Sequence, residues 1–349
     1  MLKKEYHCSL LCHNTFGIDA QAACMLTYDD EKGLHEALEC INDEFPGKPV
    51  LHIGGGSNLL FLSDFDGVIL HSAIKSWEVM EETSDEVTVR VGAGTVWDDF
   101  VASCVKKGYY GVENLSLIPG EVGASAVQNI GAYGAEAKDV IVRVETIDMH
   151  NGESRIFEMP ECDYGYRQSI FKTAPGRKYA VTKVWFRLSR HFTPNVAYGG
   201  IRHALEEAGI SLSEVTAADV RRVVIDIRRA KLPDPAVTGN AGSFFMNPVL
   251  EHEVYERLLS DYPDMPHYLQ SDGRVKIPAG WLIEQCGWKG RELGRAAVHD
   301  KQALVLVNKG GATGGDILRL SDAVRGDVYK RFGIEIRPEV NFIGGGCVR

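Results

Sequence analysis

The stretch from Ser116 to Glu136, SLIPGEVGASAVQNIGAYGAE, is the feature that most limits what this chain can build. Between its ends lie one formal charge, Glu121, and four glycines, Gly120, Gly123, Gly131 and Gly134. Ala124, Ser125, Ala126 and Ala132 fill the gaps, and Gln128, Asn129 and Tyr133 are the sizeable polar groups. Glycine lets backbone approach closely and adopt positive φ, so bare N–H groups can face a ligand. A run so poor in charge is an odd choice for a solvated loop; it suits a wall around a large, flat, partly anionic molecule. The same residues would also serve as a buried connection between core elements, and composition leaves both readings open.

A second glycine cluster precedes it. Pro49 to Ile53 reads as a short buried strand running straight into Gly54-Gly55-Gly56-Ser57-Asn58, the geometry of a pyrophosphate nest. Two familiar fingerprints fail here. G-x-G-x-x-G from Gly54 would need glycine where Leu59 stands, and no G-x-x-x-x-G-K-[ST] occurs in the region. A plain glycine turn is the alternative. Two such loops, far apart in sequence, fit a diphosphate clamped between two lobes better than two unrelated turns.

The surrounding pattern is α+β. Leu34, Leu38, Ile41 and Phe45 recur at helical spacing, and Val96 to Lys107 predicts a second helix. Strands are expected at Val68–His71, Val87–Val91, Val140–Met149, Arg155–Met159 and Tyr179–Leu188. With 349 residues, 44% of them hydrophobic, the chain can bury a sizeable core in two or three domains. A net charge of −10 argues against nucleic acid or an anionic membrane as main partner, since either needs a basic face. The eight cysteines show no C-x-x-C pair and no zinc spacing, and Cys347 reads as a bystander. There is no signal peptide and no apolar run of the roughly 20 residues that span a bilayer, so reduced thiols in a cytoplasmic protein are expected.

Past residue 200 the texture changes. Ala217 to Lys231 predicts a helix with Val220, Val223, Val224 and Ile227 on one face. Arg221, Arg222, Arg228 and Arg229 occupy the other, either a solvated face or a funnel for a small anion. Leu232 to Pro248 packs turn formers around Ser243, which lies in no G-x-S-x-G elbow; a proton donor or a turn residue is a better reading than a nucleophile. Ile317, Leu320, Val324 and Val328 mark a last helix, and Ile334 to Gly345 reads as a terminal strand.

Ten motifs occur in order: NTFGI (Asn14–Ile18), GGGSN, LIPG, QNIGAYG (Gln128–Gly134), YRQSIFK (Tyr166–Lys172), KLPDP (Lys231–Pro235), GNAGSFFMNP (Gly239–Pro248), AGWLIEQCGWKG (Ala279–Gly290), QALVLVN (Gln302–Asn308) and RPEVNFIG (Arg337–Gly344). Together they resemble the UDP-N-acetylenolpyruvoylglucosamine reductases, or UDP-N-acetylmuramate dehydrogenases, of bacterial cell-wall synthesis, in the longer loop-bearing subtype. The resemblance implies a two-lobed FAD-binding domain of the vanillyl-alcohol-oxidase/PCMH type, with lobes 1–72 and 73–204. An α+β substrate-binding domain, 205–349, would follow, and its last strand could pack back on the FAD domain. It implies that Gly54, Gly55, Gly56, Ser57, Asn58, Pro119, Gly120, Gly123, Ser125, Gln128, Asn129, Gly131, Tyr133, Gly134 and Arg228 hold FAD. Ser57 follows the glycines and His52 precedes them, so non-covalent FAD is expected.

The family reaction uses NADPH and FAD to reduce an enolpyruvyl ether to a lactyl ether. Charge building at the substrate's C2 and carboxylate needs fixed positive charge and a proton. Arg167 matches the family's carboxylate-binding arginine, whose planar fork a lysine would not reproduce. Glu339 matches its acidic partner, which must be protonated or hydrogen-bonded to help, and Ser243 matches the proton donor to C2. Tyr166, Tyr198, Lys231, Asn247, Lys289 and Gln302 match positions contacting the UDP-sugar. Each of these except Tyr166 also has a plain structural reading, such as a helix C-terminal cation for Lys231. Ala124, Ala126 and Met246 depart from residues common among relatives. A monomer is expected. Two other readings stay open: an oxidase of the same flavin fold, whose reduced form air would reoxidise rapidly, and a non-catalytic nucleotide-sugar-binding protein, which would purify colourless.

Overall fold

The computed structural model describes residues 1–198 and 200–344. Cys347, Gly345 at the end of the expected last strand, and Gly199 in the AYGG loop lie outside them. The chain divides into two compact units that interleave in sequence. The first comprises Met1–Cys8, Ala22–Gly55 and Asp66–Ala230; the second comprises Ser9–Gln21, Gly56–Phe65 and Lys231 onward.

The first unit holds two sheets. In the smaller, the strands run in the order Leu2–Ser9, Gln21–Tyr28, Phe65–Ser72, Val50–Ile53, the last two parallel. Helix α1 (Glu31–Glu44) covers it, started by Asp30, whose side chain accepts from Gly33 N–H at 2.6 Å. Its Leu34, Leu38 and Ile41 pack with Leu26, Val68 and Leu70, each burial contributing about 2 kcal/mol. The larger sheet is antiparallel, in the order Ser154–Glu158, Ile141–Asp148, Tyr179–Ser189, Glu86–Gly92, Trp77–Glu82. Helix α2 (Trp97–Lys107) lays Trp97, Phe100 and Val101 on Val87, Val89, Val184 and Phe186. It ends at Gly108, whose left-handed φ of 74° closes the last turn.

The glycine-rich stretch is not all loop. Its centre, Val122–Gln128, forms α3, since Val122 and Ala126 bury into the same core as α2. Helices α4 (Ile201–Glu207) and α5 (Ala217–Lys231) close the unit around Val196, Ile201, Leu205, Val220, Val223 and Val224. This shared core keeps the chain up to Ala230 within the first unit.

In the second unit an antiparallel sheet runs in the order Asn240–Ser243, Val305–Asn308, Ala296–Val298, Glu292–Leu293. Helices α6 (His252–Asp261), α7 (Ala279–Gln285) and α8 (Gly314–Phe332) belong to it. A capping box of Thr313 and Asp316 starts α8, and Gly333 at φ 69° ends it. Ser243, expected among turn formers, ends a strand. The long terminal strand expected over Ile334–Gly345 shrinks to Asn341–Ile343, which pairs in parallel with Leu59–Phe61. Pro338 has no N–H to give a ladder, so before Asn341 only a bridge to Phe245 survives. Among the described residues no helix is long and apolar enough to cross a membrane, and the seven described cysteines are free thiols.

Candidate active site

The two glycine clusters meet within the first unit. A Cβ built on Gly55 would stand 3.6 Å from Gly120 Cα, and one on Gly54 would stand 3.1 Å from a Glu121 carboxylate oxygen. Gly123 presses on Ala93, where a Cβ would come within 2.7 Å of the alanine methyl. Walls this thin leave backbone as the facing surface, which fits a flat cofactor with a diphosphate. Two expected cofactor side chains turn inward instead. The Ser125 hydroxyl donates to Val122 carbonyl at 2.6 Å and its N–H to Glu121 carbonyl, so neither faces out. Asn129 is buried, its amide donating to Glu136 and to Gly165 carbonyl, both at 2.9 Å. Asn129 therefore holds a neighbouring turn. Gln128 accepts from Lys172 at 3.0 Å.

That neighbouring turn carries Tyr166 and Arg167. Gly165 and Gln168 exchange both backbone hydrogen bonds at 3.1 Å, leaving Arg167 at the tip in the left-handed region, φ 56°. A non-glycine residue held there is strained by about 1 kcal/mol or more, and such strain persists only where neighbours over-determine it. Here Asn129 grips Gly165, and the Arg167 guanidinium donates to Gly131 carbonyl at 2.8 Å while lying 5.6 Å from the Tyr166 ring. A Cβ at Gly131 would meet Glu136 Cγ at 2.9 Å, the Ala135 carbonyl at 3.1 Å and Arg167 Nη1 at 3.2 Å, so the site admits only glycine without a shift.

Arg228, half-buried on α5, donates from Nε to Leu117 carbonyl at 3.3 Å. Burial pulls its guanidinium below the ordinary arginine value; Tyr133 and Asp98 oppose this, and the nearby Arg167 charge adds to it. Burial in turn pushes the Tyr133 hydroxyl up, against Arg228. Two guanidinium groups in mutual repulsion, one of them desolvated, make a place that an anion would stabilise. Gly134 and Tyr198 border this region, Cβ to Cβ at 3.3 Å for an alanine at 134, and Tyr198 is exposed. Leu117, at φ 58°, is held from the other side by Asp98, which accepts its N–H at 2.5 Å and grips Arg221 at 2.6 and 2.9 Å.

The second unit carries the other expected residues, stitched by NTFGI. Asn14 is buried and closes its own loop with three hydrogen bonds, to Leu10 and Ile18 carbonyls and from Ile18 N–H. Thr15 N–H donates to Gly56 carbonyl at 3.2 Å and Thr15 carbonyl accepts from Asn240 N–H at 2.9 Å, which joins the glycine turn to the strand ending in Ser243. Gly56, at φ 64°, abuts the His13 carbonyl so closely that a Cβ would overlap it. Ser57 leads into Asn58, whose side chain donates to Glu339 carbonyl at 3.3 Å and whose carbonyl accepts from Asn341 N–H at 3.1 Å. Glu339 N–H donates to the carbonyl of Phe244, the residue after Ser243, at 2.8 Å. The fold thus brings Asn58, Ser243 and Glu339 into adjacent backbone.

The remaining sugar-nucleotide candidates are spread over that unit. Lys231 is exposed at the end of α5. Asn247 accepts the Ala279 N–H that opens α7 at 2.9 Å, so its oxygen serves the fold and its amide N–H groups remain donors. Lys289 pairs with Glu284 at 2.9 Å, and Gln302 Oε1 packs against Gly280. Sequence reasoning assigned no role to Asn14, Asp98, His71 or Glu121; Asn14 had a signal in its place in a motif, and Glu121 in being the one charge within the glycine-rich stretch.

Glycine walls, a cationic pair and a mixed fold define an FAD-binding protein, and residues 22–157 match an FAD-binding-domain family. Residues 234–343 match the C-terminal domain of UDP-N-acetylenolpyruvoylglucosamine reductase. A protein of that name from Bacteroides fragilis is 58% identical over 342 residues, covering 97% of this chain and all of the relative. One from Pseudomonas aeruginosa is 47% identical, covering 97% and 99%. The chain belongs to the UDP-N-acetylenolpyruvoylglucosamine reductase family. The crystal structure of that reductase from Thermus caldophilus shares the fold, with a TM-score of 0.66 at 23% identity over 99% of both chains.

Proposed function

We infer that this chain is a UDP-N-acetylmuramate dehydrogenase: it reduces the enolpyruvyl ether of UDP-N-acetylenolpyruvoylglucosamine, a step of peptidoglycan synthesis, with FAD as cofactor and NADPH as reductant. The near-full-length identity to relatives of that name carries the reading, and the glycine walls at Gly54, Gly55 and Gly120 support it.

FAD, when bound, supplies the two-electron chemistry that couples NADPH oxidation to reduction of the substrate's double bond. The backbone of Gly54–Asn58 and of Pro119–Gly134 would hold it, with Arg228 beside it. Arg167 takes the substrate carboxylate. Its strained turn, held by Asn129, pre-sets a fork whose charge stabilises the oxygens as electrons arrive, without reorganisation at that moment. Ser243 delivers a proton to C2; its hydroxyl is a weak acid, but the acceptor is strongly basic. Glu339, tied by its backbone to Phe244, acts protonated or hydrogen-bonded on the same charge. Tyr166, Tyr198, Lys231, Asn247, Lys289 and Gln302 bind the UDP-sugar. The reading also places the enzyme in the cytoplasm, as a monomer, with neither nucleic acid nor membrane as partner.

The test is an absorbance scan for bound flavin, then NADPH oxidation with and without the enolpyruvyl UDP-sugar. Yellow protein whose NADPH oxidation depends on that sugar supports the reading. Ser243→Ala should lose roughly 10² to 10⁴-fold in turnover while NADPH still bleaches the flavin. Colourless protein, or oxidation indifferent to the sugar, overturns it.

A further inference from the structure

A hydrogen-bonded pair with no role so far lies against the first glycine turn. His71 stands on the strand Phe65–Ser72, in parallel register with Ile53, the residue that leads into Gly54. Its Nε2–H donates to Glu121 Oε1 at 3.0 Å, with side chains only 20% and 14% exposed. The other carboxylate oxygen faces the turn, where a Cβ on Gly54 would lie 3.1 Å from it. The backbone of Glu121 belongs to the opposite wall: it bridges Val96, while Gly120 carbonyl accepts from Trp97 at 3.0 Å and Val122 donates to Thr95 at 2.9 Å. Glu121 therefore reaches from one wall to the other.

A carboxylate is a poor neighbour for a diphosphate. It repels the anion and is itself attracted to glycine N–H groups meant for phosphate oxygens. The N–H of His71 fixes one oxygen of Glu121, so the carboxylate keeps its place on the Cβ side of Gly54 and Gly55 instead of turning to their N–H groups. His52, the other imidazole nearby, cannot substitute, because its Nε2 is engaged with the Tyr28 hydroxyl at 2.7 Å, and burial together with His71 lowers its pKa to about 4. Tyr28 itself is fully buried.

We propose that His71 is a positioning residue for FAD: by holding Glu121 it keeps the Gly54–Gly55 turn open to the cofactor's diphosphate. This rests on the FAD-binding reading above. Released from His71, Glu121 competes with the cofactor for the turn.

The test uses the full-length protein stripped of flavin, with FAD affinity read from quenching of flavin fluorescence. His71→Phe, which cannot donate, should weaken FAD binding at least tenfold. His71→Asn, which keeps a donor, should stay within threefold of wild type. Adding Glu121→Ala to His71→Phe should recover most of the loss, which a merely structural role for His71 would not allow. Should His71→Phe fail to fold, Glu121→Ala alone carries the test and should bind FAD at least as tightly as wild type. The proposal is overturned if His71→Phe binds normally, if the double variant is no tighter than His71→Phe, or if Glu121→Ala loses tenfold. Wild-type protein that binds no FAD would instead sink the FAD-binding reading.

Discussion

Replacing Asp98 should loosen the entrance to the glycine-rich stretch by a computable amount. Asp98 accepts the N–H of strained Leu117 and takes two hydrogen bonds from Arg221, the side chains of Arg221 and Asp98 being 16% and 26% exposed. Breaking a fully buried pair from one side costs about 3 to 5 kcal/mol. Partial exposure reduces that, and relaxation of Leu117 from φ 58° returns about 1 kcal/mol. Asp98→Ala should therefore destabilise the first unit by roughly 2 to 3 kcal/mol, or roughly 5 to 10 °C for a unit of this size. Asp98→Asn still accepts from Leu117 and should cost roughly 1 to 2 kcal/mol. The pH dependence is diagnostic. Burial pushes the Asp98 carboxyl up, but Arg221, the Leu117 N–H and Arg228 together hold it below its ordinary 3.8. A depressed carboxyl stabilises fully above its unfolded value and loses that contribution as pH falls through the folded one. Thermal unfolding of wild type and Asp98→Asn should thus differ fully from about pH 5 to 7 and converge below about pH 3.8. Equal melting at pH 7, or the same gap at pH 3, would refute the reasoning.

Three further outcomes follow from the same geometry. Gly131→Ala puts a methyl against Glu136 Cγ at 2.9 Å, the Ala135 carbonyl at 3.1 Å and Arg167 Nη1 at 3.2 Å; the displaced guanidinium should raise KM for the UDP-sugar severalfold or more, with flavin absorbance retained in the purified protein. Arg167→Lys keeps the charge but loses the fork; kcat/KM should drop about 10² to 10³-fold, and a drop of less than threefold would remove Arg167 from the carboxylate. Asn129→Ala removes one of the two donors to Gly165 carbonyl and leaves the half-buried Lys138 N–H without its acceptor, so melting of the flavin-free protein should shift by roughly 1 to 3 kcal/mol in stability.

The glycine clusters were readable as partners because glycine runs announce close approach, and Gly55 does meet Gly120. Helices with one apolar face, such as α1 and α5, were equally plain, since Leu34 and Val220 fall at helical spacing on a core. Other elements could not be read. Sequence shows that Asn129 is polar, not that Gly165, 36 residues on, will take its amide. Nor does it show that Asp98 and Arg221 will meet across 123 residues, since such pairs depend on tertiary placement alone. The long final strand failed for a local reason that was visible: Pro338 interrupts it.

The parallel pairing of Leu59–Phe61 with Asn341–Ile343 has a consequence for synthesis. At roughly 5 to 20 residues per second, an early strand leaves the ribosome some 15 to 60 s before its partner exists. Throughout that interval a short apolar edge waits unclaimed, and a transcript truncated near its 3′ end would yield a polypeptide whose amino-terminal half carries a permanent vacancy.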